Sequence, residues 1–173
     1  FLIAMPGTPC IFQPHWRTYE HELKSMIEAR KLVGITNTSS YSNYASNAQY
    51  FANAVNGADG RKLLVVVGIP SMMTAPAKTE YTRILSGKNY MYYLSSNAET
   101  AWADKASGTY EEAFDVTLTA VSYNNGVKLV YSTAGNNQTV SSKQVASCTK
   151  INISTTTTLK VGLLVNGQVT GIV

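Results

Sequence analysis

Phe114-Asp115-Val116-Thr117-Leu118-Thr119-Ala120-Val121, followed by Val127-Lys128-Leu129-Val130-Tyr131-Ser132, is the stretch on which the fold turns. Alternate residues are apolar, and a period of two puts Phe114, Val116, Leu118 and Ala120 on one face of a strand. Between the runs lies Ser122-Tyr123-Asn124-Asn125-Gly126, and Asn and Gly tolerate the positive φ of a tight turn. The pattern returns where Leu159-Lys160-Val161-Gly162-Leu163-Leu164-Val165 and Gln168-Val169-Thr170-Gly171-Ile172-Val173 flank Asn166-Gly167, a strong hairpin signal. Ala113 to Val173 therefore reads as an antiparallel β-meander with one apolar face to cover. Its last run carries no charge, and such an edge invites pairing. The chain's own first residues, or a neighbour's, are expected to cover it.

The 173 residues suit one domain with its own core. Charged residues make up 14% of the chain, against about 25% in ordinary soluble domains. Ser, Thr and Asn supply about a quarter. A surface wetted by hydroxyls and amides is commoner in secreted, cell-surface and virion proteins than in cytosolic enzymes. Phe1 in place of a start methionine fits a processed exported chain or a trimmed one. The net charge of +4 is dispersed: Lys24, Arg30 and Lys31 close a predicted helix, whose dipole favours them, and the later lysines are single. That distribution argues against a nucleic-acid partner.

In chain order, Phe1-Leu2-Ile3-Ala4-Met5 is broken by Pro6-Gly7, far short of a membrane span of about 20 residues. It reads as a packed arm, an added edge strand or an arm inserted into a neighbouring subunit; the assembly-arm residues are Phe1, Leu2, Ile3, Met5, Ile11 and Phe12. After Pro14, apolar residues at Trp16, Tyr19, Leu23, Met26, Ile27 and Val33 mark an amphipathic helix with a stop at Gly34. A second helical stripe runs through Tyr41, Tyr44, Ala45, Ala48, Phe51, Ala52 and Val55. Leu63 to Val67 is a buried strand or a short buried helix turn, Tyr81 to Leu94 is hairpin-like, and Ala101-Trp102-Ala103 suits one helical turn. Two more strands are expected between Gln138 and Ser154. The expectation is an α+β fold with N-terminal amphipathic helices packed on a mainly antiparallel β-sheet. It forms a single domain, 1–173: an arm at 1–15, a helical segment at 16–57 and a mainly β region at 61–173.

Chemistry-bearing motifs are sparse. His15 and His21 are the only histidines, and six residues apart on a helix they point in different directions, so they do not form a metal pair. There is no Gly-x-Ser-x-Gly turn, and Gly87-Lys88 lacks the rest of a phosphate loop, since Asn89 stands where a magnesium-binding hydroxyl belongs. Cys10 and Cys148 have no CxxC or Cys/His company, so they are either a disulfide or two free thiols. Of the eleven tyrosines, Tyr90, Tyr92, Tyr93, Tyr123 and Tyr131 are candidates for a stacking or interface surface, although Tyr is also a good sheet former. Tyr92 and Tyr93 must face opposite sides of a strand, so at least one is expected to be exposed or at an interface. No cofactor is expected.

Taken together, the helical segment, Gly68-Ile69-Pro70-Ser71-Met72-Met73, the central β region, and Val145-Ala146-Ser147-Cys148 followed by Val165-Asn166-Gly167 resemble the globular part of type IVb pilins and pilin-like subunits over about residues 16–173. The resemblance implies a helix across an antiparallel sheet and a disulfide at the late cysteine, for which Cys10 is the available partner. The chain departs from that family in that Phe1 leads into Pro6, Gly7 and Pro9 rather than a long apolar helix. A minor or pilin-like subunit fits this as well as a major one.

The functional expectation is an extracytoplasmic, non-enzymatic subunit of a surface filament that is self-associating or adhesive. Its partners would be copies of itself or related subunits, with a host-surface or glycan ligand as a further possibility. The alternatives are a virion or phage-tail structural protein, and a secreted enzyme or carbohydrate-binding module. The last would use His15, His21 and exposed tyrosines, with the histidines brought beside Glu20 or Asp104.

Overall fold

Gly34, at φ 74°, closes the one α-helix of the molecule, and its N–H bonds the carbonyls of Arg30 and Lys31. The computed structural model describes residues 1–173 and places twelve strands after this helix, α1 (Gln13–Val33). The chain divides into two compact units, Phe1–Ala98 and Glu99–Val173. No helix is long and apolar enough to cross a membrane.

The first unit holds an antiparallel sheet of β1 (Tyr41–Ser46), β2 (Tyr50–Asn56), β3 (Lys62–Gly68), β4 (Tyr81–Gly87) and β5 (Tyr90–Ser95), in the order β1-β2-β3-β5-β4. Leu63 to Val66 of the central β3 is buried on both faces, which is why that run is continuously apolar rather than alternating. The register aligns Ala54, Leu64 and Tyr93 on one face, where Met73 and Tyr81 join them in a core. It aligns Val55, Leu63 and Leu94, and next to them Asn53, Val65 and Tyr92, on the other. That second face meets α1 and the N-terminal arm: α1 contacts β3, Phe1 lies 5.7 Å from Phe51 ring to ring, and Asn53 reaches the Met5 sulfur.

The expected second helix is not formed. Tyr41 to Val55 is the β1–β2 hairpin, paired from Tyr41↔Val55 to Ser46↔Phe51. The side-chain oxygen of Asn47 accepts the N–H groups of Gln49 and Tyr50, which turns the chain back. Tyr and Phe are good strand formers, and Asn and Ser favour a helix poorly, so the apolar spacing at 41, 44, 48 and 52 is a coincidence of period.

The second unit contains β6 (Thr100–Ala103), β7 (Phe114–Val121), β8 (Lys128–Ser132), β9 (Lys143–Val145), β10 (Thr149–Ile153), β11 (Lys160–Val165) and β12 (Gln168–Thr170). These form two antiparallel sheets, β10-β7-β6 and β12-β11-β8-β9. Here too the expectation is corrected. The runs at 114–121 and 127–132 are strands, but they are not a hairpin: β7 pairs with β6 and β10, and β8 pairs with β9 and β11. The connection crosses from one sheet to the other. Val116, Leu118 and Ala120 of β7 therefore pack face to face with Leu129 and Tyr131 of β8 and with Val161 and Leu163 of β11 in one core. Ala101-Trp102-Ala103 is strand, not a helical turn.

Past the last strand, the chain's end is held within the same unit. The Gly171 carbonyl accepts the N–H of Ala101 and the hydroxyl of Thr100, and Val173 exchanges two backbone bonds with Val161. Gly171 sits at φ 55°, and a Cβ on it would stand 2.5 Å from the Thr100 Cα, so only glycine fits this approach. With one helix and three antiparallel sheets, the molecule is mainly β, and the α+β expectation is overturned.

Candidate functional site

Pro14 opens α1, where its missing N–H costs nothing, and Phe12 precedes it without a capping side chain. The Thr18 hydroxyl bonds back to the Pro14 carbonyl, and the next residue, Tyr19, leaves helical geometry at φ −129° and ψ 32°. A hydroxyl inserted into the i to i−4 ladder is a recognised cause of such a bend. Beyond the bend the helix binds its own unit, burying Ser25, Ala29, Arg30 and Val33. Before the bend no residue is fully buried, and Trp16 is half-buried. Phe12, His15 and Tyr19 form a chain of ring contacts at 5.4 and 6.4 Å, and Phe12 and Tyr19 are 65% and 53% exposed.

Spanning the bend lies a groove of about 220 Å³, lined by His15, Tyr19, Glu22, Leu23 and Met26 of α1 and by Tyr90 of β5. Its lining surface is almost wholly apolar. The other two acids of the helix are engaged: Glu20 by Lys24, whose hydrogen bond holds that carboxyl below its ordinary pKa, and Glu28 by Lys31 at 2.9 Å. Glu22 has no basic partner. Burial, and after it the Glu22 charge, pushes the Tyr90 phenol up from its ordinary value.

One turn further on, Arg30 is buried among the carbonyls of the arm. Its guanidinium donates to Ile3 at 2.9 Å, to Gly7 at 2.7 Å and to Met5. The fork of a guanidinium suits several acceptors at once, and here it straps the arm to the sheet. The buried Tyr92 hydroxyl and Asn53 side-chain oxygen on the same face have no protein hydrogen-bond partner.

The arm expected to serve assembly is divided: Ile3 and Ala4 are buried in their own unit, while Leu2 at 74% and Phe12 are exposed, with Phe1, Met5 and Ile11 half-buried. The five tyrosines are scattered among several environments. Tyr90 lines the groove, Tyr92 and Tyr93 are both buried on opposite faces of β5, Tyr131 lies in the core of the second unit, and Tyr123 is exposed in the β7–β8 connection. At least one of Tyr92 and Tyr93 was expected to be exposed or at an interface. Both are covered because both faces of the sheet are overlain: Tyr93 packs in the core with Met73 and Tyr81, and Tyr92 lies on the face that meets α1 and the arm. Cys10 and Cys148 are free and exposed, and Cys148 stands in left-handed backbone at φ 67° with its N–H on the Leu118 carbonyl.

His15 reaches the groove and His21 does not line it; Asp104 accepts the Thr117 N–H in the second unit. The pairing of Glu22 with Tyr90 joins residues remote in sequence, and periodicity gave no sign of it. No protein-family model matches the chain, and no curated protein is significantly similar to it.

Proposed function

We propose that the protein is an extracytoplasmic structural subunit of a pilin-like surface filament, and that its work is association with further copies. The observation that carries this is the half-free helix. The first turns of α1 present Phe12, Tyr19 and an apolar groove, with no residue buried before Ser25. Apolar side chains left exposed beside an apolar groove are a feature of association sites. The low charge and hydroxyl-rich composition support the extracytoplasmic setting. Sedimentation velocity over a wide concentration range, with electron microscopy of the same samples, tests the reading. Oligomers or filaments that grow with concentration are the expected result; a monomer at every concentration would overturn it.

A further inference from the structure

We infer that Asn125 is a site of spontaneous covalent modification, where the folded chain converts an asparagine to aspartate and isoaspartate. Asn-Gly occurs three times, at Asn56-Gly57, Asn125-Gly126 and Asn166-Gly167, and the chemistry open to each is the same. The glycine nitrogen gives up its proton to solvent and attacks the asparagine Cγ. A succinimide ring closes as the new C–N bond forms, and the side-chain nitrogen leaves as ammonia. Water then opens the ring at either of its carbonyls, giving aspartate or isoaspartate. An amide nitrogen is exchanged for a water oxygen, and nothing is oxidised or reduced. Glycine suits the attack because no Cβ stands in the way.

The fold separates the three. At the end of β2 both reactants are tied: the Asn56 side-chain amide donates to the Ser40 hydroxyl at 2.9 Å, and the Gly57 N–H to the Arg61 carbonyl at 2.9 Å. Gly57 is also packed in, since a Cβ on it would stand 2.1 Å from the Val33 carbonyl oxygen. Asn166 and Gly167 make the β11–β12 turn in left-handed backbone, at φ 49° and 76°. The ladder runs straight on from them through Val165↔Gln168, Leu164↔Val169 and Leu163↔Thr170, so swinging the glycine nitrogen onto Cγ works against the hairpin. Asn125 lies under neither restraint. It joins strands of different sheets, so no ladder continues from its turn. Asn125 and Gly126 are exposed, a Cβ on Gly126 would meet nothing within 4 Å, and neither the Asn125 amide nor the Gly126 N–H is hydrogen-bonded. The Ser122 hydroxyl holds the connection only as far as the Asn124 N–H, at 3.0 Å. The extra main-chain carbon of isoaspartate therefore shifts no strand register, and each conversion takes one from the net charge of +4.

Incubating the full chain in ¹⁸O-labelled water at mildly alkaline pH, folded in one sample and unfolded in urea in the other, tests this by peptide mapping. Label enters only where an asparagine has been converted. In urea the three steps should react at comparable rates. In the folded protein Asn125 should lead Asn56 and Asn166 by about tenfold or more, the ratio imposed by breaking about one backbone hydrogen bond to reach the ring. Asn125→Gln, which must close a larger and slower ring, should remove the main acidic variant seen on ion exchange and leave the melting curve unchanged. Asn56 or Asn166 taking up label as fast as Asn125 in the folded protein would overturn the assignment. So would an Asn125 that reacts in urea but not in the fold, or an acidic variant that persists in Asn125→Gln.

Discussion

Arg30 Nη1 donates to the carbonyl of Ile3 at 2.9 Å, across 27 residues of chain. With the bonds to Met5 and Gly7, one side chain fixes the arm to the sheet face that carries Asn53 and Tyr92. Arg30→Met keeps the apolar stem but leaves three carbonyls without their donor. We expect a loss of about 2–4 kcal/mol in denaturant unfolding, since hydrogen bonds to charged groups are worth about 1.5–3 kcal/mol each and are not additive. Limited proteolysis should then cut the arm first.

Tyr92→Phe tests a group that has been buried without a partner. Its hydroxyl is buried and unpaired, so its removal should be neutral or stabilise by up to about 1 kcal/mol. A loss above that, measured by urea unfolding, would mean the hydroxyl is paired through solvent.

The same burial sets an alkaline limit on stability. Desolvation raises the pKa of Tyr81, Tyr90, Tyr92 and Tyr93 in the folded protein, most strongly at Tyr92. Above about pH 10 the unfolded chain gives up its phenol protons while the folded one keeps them, so the unfolded state binds fewer protons and stability falls as pH rises. The contribution is fully present below that pH. Unfolding free energies measured from pH 8 to 11 should decline, less steeply in Tyr92→Phe.

At the β1–β2 turn, Asn47→Ala removes one acceptor serving two backbone N–H groups. About 1 kcal/mol of stability should be lost, with faster amide exchange at Gln49 and Tyr50 as its local signature.

Gly171→Ala places a Cβ against Thr100 in a left-handed backbone. A loss of more than about 2 kcal/mol is expected, read by calorimetry. Amide exchange should rise first at Ala101 and Val161, which the terminal segment holds.

What was legible in the sequence was local. The period of two marked 114–121 and 128–132 as strands, and Pro14 and Gly34 bracketed the helix, because these signals depend on neighbours in the chain. Partner choice was not legible. Nothing within Ser122–Gly126 distinguishes a turn inside one sheet from a crossing between two; that is decided by whether β7 and β8 bury their apolar faces side by side or against each other. Tyr41–Val55 fits both periods, and the Asn47 turn that selects the strand is a three-residue detail. Arg30 reads as a basic residue suited to a helix C-terminus, yet the structure gives it to the arm. The groove needs Tyr90 beside Glu22, a juxtaposition that exists only once the sheet has formed.

The bond from Gly171 to the start of β6 also sets an order of events during synthesis. Every residue of the first unit precedes Glu99, so that unit has all its strands as soon as Ala98 clears the ribosome. The second unit holds its closing segment 71 residues downstream of Thr100. Until that segment emerges, β6 and β11 wait with unpaired edges, and chains in this interval are the ones a holding chaperone would have most reason to shield.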